Sequence, residues 1–169
     1  MIETLTKPGL KKWTGAAAGH RRSGRRPVKR AGGGVARLRV GGATGKIAAT
    51  KLIKMIKAGL PVQELKDLQI NLAVPMEKLV PLVGISKATL HRRMAGGRLG
   101  PAESDRVVRF ARLMDKAVAV MESVEGARRW LNSPQFGLDG AVPLDYAGTE
   151  VGAREVEDLL GRIEYGVYS

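Results

Sequence analysis

The sequence predicts an all-α protein: a helix-turn-helix domain, then a small helical domain, both preceded by a disordered basic N-terminal arm. Three observations lead there. Aromatic residues make up 4% of the 169-residue chain and apolar residues 44%, so the core must be built from Leu, Val, Ile, Met and Ala, a mixture that favours helices over packed sheets. After about Lys46 the apolar residues recur at helical spacing, with no strand-like alternation of useful length. Before it, ten of the 22 glycines crowd into residues 1–45 and periodicity is absent.

Charge divides the chain in the same way. The net charge is +13. Residues 1–46 carry twelve Lys/Arg against Glu3 alone, residues 47–121 thirteen against six acids, and residues 122–169 four Arg against nine acids. The basic parts point to a polyanion and the acidic end to a different partner. The absence of cysteine excludes disulfides and thiolate chemistry. No apolar run is long enough to cross a bilayer, so no membrane partner is expected; the lack of cysteine is compatible with a reducing cytosol, and a cytoplasmic location is expected.

Each segment follows from these patterns. The arm, residues 1–45, buries too little apolar surface to offset its ordering entropy. Its Arg-rich composition also fits a targeting peptide, but no apolar stretch follows Arg21-Arg22 or Arg25-Arg26. An over-extended start is the other alternative. The second segment, residues 46–121, opens with a helix carrying Leu52, Met55, Ile56 and Leu60 on one face and stopped by Gly59 and Pro61. A short helix with Leu65, Leu68 and Leu72 comes next, then 75–83 and 86–94. A long helix begins at Pro101, a favoured first-turn position, and runs to about Met121. Val107, Phe110, Ala111, Met114, Val118 and Met121 form its stripe, and Arg106, Arg109, Arg112 and Lys116 fill much of the rest. The third segment, residues 122–169, has a helix near 124–131, a Pro/Gly-rich loop, a turn at Pro143, and a final helix over 150–164. Thr149 is its N-cap, Val156, Leu159, Leu160 and Ile163 its apolar face, and Gly166 its stop.

Residues 76–94 fit a helix-turn-helix. Leu79, Val80 and Val83 face the core, Gly84 makes the turn, Ile85 fills the angle, Ser86 caps the second helix and Leu90 packs it down. Lys87, Ala88, Thr89, Arg92 and Arg93 are then outward. Cations at such positions reach phosphates or guanine edges, and Ala or the Thr methyl meets a thymine methyl, so Ser86, Lys87, Thr89, Arg92 and Arg93 are the candidate DNA contacts. An ordinary helical hairpin with a solvated basic face is the alternative. Pro81 disagrees with the pattern: it removes a backbone hydrogen bond, at a cost of about 3 kcal/mol inside a helix, so a kink or a later helix start is expected.

Other motifs carry no chemistry. Gly41, Gly42, Gly45 and Lys46 suggest a phosphate loop, but the spacing is one residue short and Ile47 replaces the magnesium-binding hydroxyl. His20 and His91 have no metal-ligand company. Asp139, Asp145 and Glu150 lack a positioned base or nucleophile, and Trp130 reads as a core anchor. No catalytic residue, metal or cofactor is expected.

Over residues 46–169 the chain resembles the Xre/MbcA/ParS antitoxin family. The central block is carried by Gly59, Leu60 and Pro61, by Gly84, Ile85, Ser86 and Leu90, and by Leu99, Pro101, Glu103, Ser104, Asp105 and Arg106. The C-terminal block is carried by Ala127, Trp130, Leu131, Pro134, Leu138, Gly140, Pro143, Leu144, Thr149, Gly152, Val156, Leu160, Arg162, Ile163 and Gly166. The arm is outside the family pattern.

The resemblance implies an antitoxin of a type II toxin–antitoxin system. Its partners would be a RES-domain toxin that depletes NAD and the operator DNA of its own operon, with a homodimer inside a larger toxin–antitoxin complex. The toxin would be held by the C-terminal end, with Arg162, Tyr165, Gly166, Val167, Tyr168 and Ser169 as candidate contacts; Tyr165 and Tyr168 offer large area at low entropy cost. The alternative is a stand-alone helix-turn-helix regulator whose acidic C-terminal unit only dimerises. Under the first reading, removing residues 1–45 weakens operator and random DNA by similar factors, most strongly at low salt, because an arm with Trp13 as its one aromatic group releases counterions without reading bases. Titration of both duplexes at two salt concentrations checks this, and a loss confined to the operator refutes it.

Overall fold

The computed structural model describes residues 49–166, and among them every regular element is helical. The arm, the first helical residues expected at 46–48, the loop at 41–47 and the tail Val167–Ser169 lie outside them. In chain order the helices are α1 (Ala49–Ala58), α2 (Val62–Leu72), α3 (Met76–Leu82), α4 (Lys87–Gly96), α5 (Pro101–Met121), α6 (Val124–Asn132), α7 (Pro143–Tyr146) and α8 (Glu150–Glu164). A 3-10 turn, Phe136–Leu138, precedes α7. The one extended contact is an isolated antiparallel bridge between Pro61 and Arg98.

Hydroxyl side chains start three of the helices. Ser86 accepts from the Thr89 N–H, Ser123 from the Gly126 N–H and Thr149 from the Gly152 N–H, each satisfying a donor that the first turn leaves unpaired. α5 starts differently. The Gly100 N–H donates to Glu103 Oε2, and the Ser104 hydroxyl donates to the Gly100 carbonyl at 2.7 Å. Ser104 Oγ also accepts from the Leu60 N–H at 2.8 Å, so the turn between α1 and α2 hangs on the first turn of α5.

α5 is the centre of the molecule. It packs against α1 and α2 and also against α6 and α8. Val107, Phe110, Ala111 and Met114 are buried as expected, while Val118 and Met121 are only half-buried. Ser104, Val108, Leu113 and Ala117 are buried too. A single apolar stripe underestimates this helix because both halves of the chain use it. The expected division between 121 and 122 falls at a tight turn, where Glu122 has φ 53°.

Polar contacts join α5 and α6 to the elements around them. Lys116 Nζ donates to the Glu157 carbonyl and Arg109 pairs with Glu150 at 2.7 Å, fixing α8 on α5. On the other side, Arg128 donates from Nε to the Asn71 carbonyl at 2.9 Å and from Nη2 to the Ile70 carbonyl at 3.0 Å. Asn132 Nδ2 donates to the Leu72 carbonyl at 3.2 Å. The last turn of a helix leaves carbonyls open, and α6 brings donors to those of α2 from outside; the Ile70 carbonyl also accepts from the Ala73 N–H at 3.3 Å.

Pro81 corrects an expectation. α3 starts at Met76 and carries Pro81 in its last turn, with neither a late start nor a break. The lost bond is the one from residue 81 to the Glu77 carbonyl. Pro81 is the next-to-last residue of the helix, so a single bond is lost close to its end. Val83, Gly84 and Ile85 donate to Leu79, Pro81 and Val80 and close the helix.

Asp115, on α5, is half-buried, and that burial pushes its carboxyl from 3.8 up to about 6. The folded chain therefore holds this proton more tightly than the unfolded chain between those two values, and stability falls as pH rises through that window. Asp115→Asn is expected to stabilise the fold at pH 7, by less than about 1 kcal/mol because solvent screens a half-exposed group, and to give no gain below the ordinary carboxylate range. Thermal melts of both chains at several pH values check this; a gain that persists in acid, or none at pH 7, refutes it.

Candidate functional site

Two surfaces are candidates, one on α3–α4 and one at the far end of α8. The first is built around Gly84. Its φ of 69° permits the turn between the helices, and a Cβ there would strike the Arg106 guanidinium. Arg106 Nη1 in turn donates to the Val83 carbonyl at 3.3 Å. Leu79, Val80, Val83 and Ile85 are buried beneath the turn, and Leu90 packs against the same core. α4 is thereby presented with one side to solvent.

Ser86, Lys87, Ala88, His91 and Arg92 are exposed on that side. Thr89 is half-buried, and its hydroxyl accepts from the Ser86 hydroxyl at 3.0 Å. Arg93 departs from the expected outward placement. Its guanidinium is turned onto Glu103, with Nε 2.9 Å from Oε2 and Nη2 3.1 Å from Oε1. Glu103 is only 8% exposed. A buried carboxylate demands a cation, and Arg93 is the one that reaches it from α4. Arg93 fixes α4 to the start of α5; of the expected contacts, Ser86, Lys87 and Arg92 present exposed side chains.

The second surface is set by α8. Gly152 lies against the Tyr146 carbonyl so closely that no Cβ fits, which brings α7 and α8 into direct backbone contact. Val156 and Leu160 are buried and Leu159 and Ile163 half-buried, leaving Arg162 exposed at the end of the helix. Tyr165 is 79% exposed, and Gly166 turns the chain away with φ 68°. Arg162, Tyr165 and Gly166 thus share one end of α8, while Val167, Tyr168 and Ser169 lie outside the described residues.

One exposed group went unread in the sequence. Phe136 is 96% exposed on a turn whose backbone is closed by Gln135 and Ala141 at 3.0 Å and by Gly140 and Gln135 at 3.0 Å. Leu138 anchors this turn in the core, and Gly137 lets it lie on Leu159 of α8. The available signal was an aromatic residue inside a Pro/Gly-rich loop. Among the described residues no group of three or more His, Cys, Asp or Glu side chains could hold a metal ion.

Known proteins share both halves. Residues 51–112 match the antitoxin Xre-like helix-turn-helix domain, and residues 116–166 match the antitoxin Xre/MbcA/ParS C-terminal toxin-binding domain. The chain is 38% identical over 122 residues to an antitoxin Xre of Yersinia enterocolitica, covering 71% of this chain and 82% of that one. It is 33% identical over 117 residues to an antitoxin Xre of Photorhabdus laumondii, covering 68% and 79%. An antitoxin Xre of Pseudomonas putida is 30% identical over 126 residues, covering 73% and 69%.

The Arg93 geometry makes its own prediction. Arg93→Ala leaves Glu103 buried without its cation and is expected to cost about 2 kcal/mol of stability, whereas Arg92→Ala on the exposed side changes it by less than about 0.5 kcal/mol. Urea denaturation separates the two. Equal midpoints for both variants would remove the structural role assigned to Arg93.

Proposed function

Because the chain belongs to the family of Xre antitoxins, whose members are not enzymes, we propose that it neutralises a RES-domain, NAD-depleting toxin and represses its own operon by binding operator DNA. The C-terminal end of α8 enters the toxin's active-site cleft. α4 reads the operator, with Ser86, Lys87 and Arg92 at the contact and Thr89 contributing through Ser86. The acting species is a homodimer within a larger toxin–antitoxin complex in the cytoplasm.

The observation that carries the toxin reading is the end of α8. Arg162, Tyr165 and Gly166 stand exposed on a helix that is itself fixed to α5 by Arg109 and Lys116. A rigid helix ending in an exposed aromatic loses little freedom on docking; Val167, Tyr168 and Ser169 follow it in the sequence. This half of the chain matches a toxin-binding domain. Support for the DNA reading is weaker but independent: a capped α4 with exposed Lys87 and Arg92 in the half that matches a helix-turn-helix domain.

The two activities should separate. A chain lacking residues 165–169 is expected to keep its helical content and its operator affinity while failing to protect cells that express a RES-domain toxin with which the full chain forms a complex. Arg92→Ala is expected to do the reverse, protecting cells while the salt slope of operator binding falls by about one. Growth assays with the toxin co-expressed, together with anisotropy titrations of the operator duplex, measure both. Protection by the truncated chain would move the inhibitory element elsewhere.

A further inference from the structure

We propose that α1 is a second DNA-contacting element, meeting the phosphates beside the groove that α4 enters; this rests on the DNA-binding reading above. Two stretches of the chain, residues 49–63 and 86–98, contain no Asp or Glu. Between them they hold Lys51, Lys54, Lys57, Lys87, Arg92, Arg93 and Arg98. The fold sews the two together. Pro61 bridges Arg98, the Val62 N–H donates to the Gly97 carbonyl at 3.0 Å, and the Leu99 N–H donates to the Leu60 carbonyl at 2.8 Å. The C-terminal end of α1 therefore lies beside the C-terminal end of α4.

Arg93 is committed to Glu103, but the other six cations are exposed, and among the described residues none of them enters an ion pair. The exposed side of α8, by contrast, mixes its signs with Glu150, Arg154, Glu155, Asp158 and Arg162. Lys57 lies in the last turn of α1, where a cation suits the helix dipole, but Lys51 and Lys54 have no such return. Lys51, Lys54 and Lys57 follow one another at i, i+3 and i+6 on a helix of ten residues without an acid, so they repel one another and weaken a helix already too short to stand alone. What holds α1 is the other side, where Leu52, Met55 and Ile56 are half-buried against the core.

Such a surface fits a polyanion. It does not fit a second copy of itself, since an acid-free face would meet like charge. α4 is ten residues long, about 15 Å, comparable to the roughly 12 Å width of the major groove. A helix whose C-terminal end lies beside the C-terminal end of α4 is therefore at the groove edge, where a duplex presents one phosphate charge per about 1.7 Å of axis. Lysines there supply affinity and register, and the reading of bases stays with α4.

The test uses the full chain and two labelled duplexes, one from immediately upstream of its coding sequence and one shuffled to the same length and composition, titrated across a salt series. The combined variant Lys51→Gln, Lys54→Gln, Lys57→Gln is expected to weaken both duplexes by the same factor and to lower the log–log salt slope by about 2.7, three contacts at about 0.9 each. The corresponding Lys→Arg variant keeps the parent slope. Lys54→Gln alone, which removes one central cation and leaves the helix otherwise intact, lowers it by about 0.9. If the Gln variants keep the parent slope and affinity while Arg92→Ala loses the upstream duplex, α1 makes no contact and the α4 reading stands. If the parent chain binds neither duplex, both readings fall together. A Gln variant that loses only the upstream duplex overturns the proposal in a third way, by making α1 a reader of sequence.

Discussion

The first turn of α5 is the constraint on which the other elements depend. Three separate needs meet there. The helix must satisfy its opening N–H groups, the α1–α2 turn must satisfy the Leu60 N–H, and α4 must be held at a fixed angle to the core. Gly100, Glu103 and Ser104 meet all three: Glu103 takes the Gly100 N–H and the Arg93 guanidinium, and Ser104 takes the Leu60 N–H while donating to the Gly100 carbonyl. The acceptors are buried, so an unmet bond at any of them carries a full desolvation penalty of about 1–3 kcal/mol. From that turn α5 extends between α1 and α2 on one side and α6 and α8 on the other.

Much of this was legible in the sequence because the relevant signals are local. Pro101 marks the start of α5, Ser86 and Thr149 mark two more starts, and the spacing of Gly84, Ile85 and Leu90 marks the helix-turn-helix. What stayed hidden was non-local. Arg93 and Arg92 are indistinguishable by type and lie next to each other on one helix. Only the tertiary approach of Glu103 decides that one is internal and the other exposed. The burial of Leu113 and Ala117 escaped for a similar reason, since a stripe predicts one packed face and α5 has two. Pro81 was misread in the opposite direction: it falls so near the end of α3 that the bonds from Val83, Gly84 and Ile85 to Leu79, Pro81 and Val80 still close the helix around it.

The candidate sites were less legible than the fold. The outward positions of Lys87 and Arg92 follow from helical geometry, and Tyr165 follows from a helix stop at Gly166. Phe136 follows from neither, because its exposure depends on a turn closed by backbone bonds and seated on α8. Family membership explains the division of labour across the chain. One half matches a helix-turn-helix domain and the other a toxin-binding domain, and the charge reverses between them.

The seam between α2 and α6 has a consequence for how the two halves can diverge. Arg128 and Asn132 reach across it, yet what they grip on the far side is main-chain oxygen, at Ile70, Asn71 and Leu72. Every amino acid offers that same acceptor. The obligation is therefore one-sided: α6 must keep its two donors, while the surface residues of α2, and of the helices that follow it, can drift without loosening the joint. A lineage of such proteins can acquire new binding preferences at its amino-terminal half while the carboxy-terminal half goes on holding it by a handle that no substitution removes.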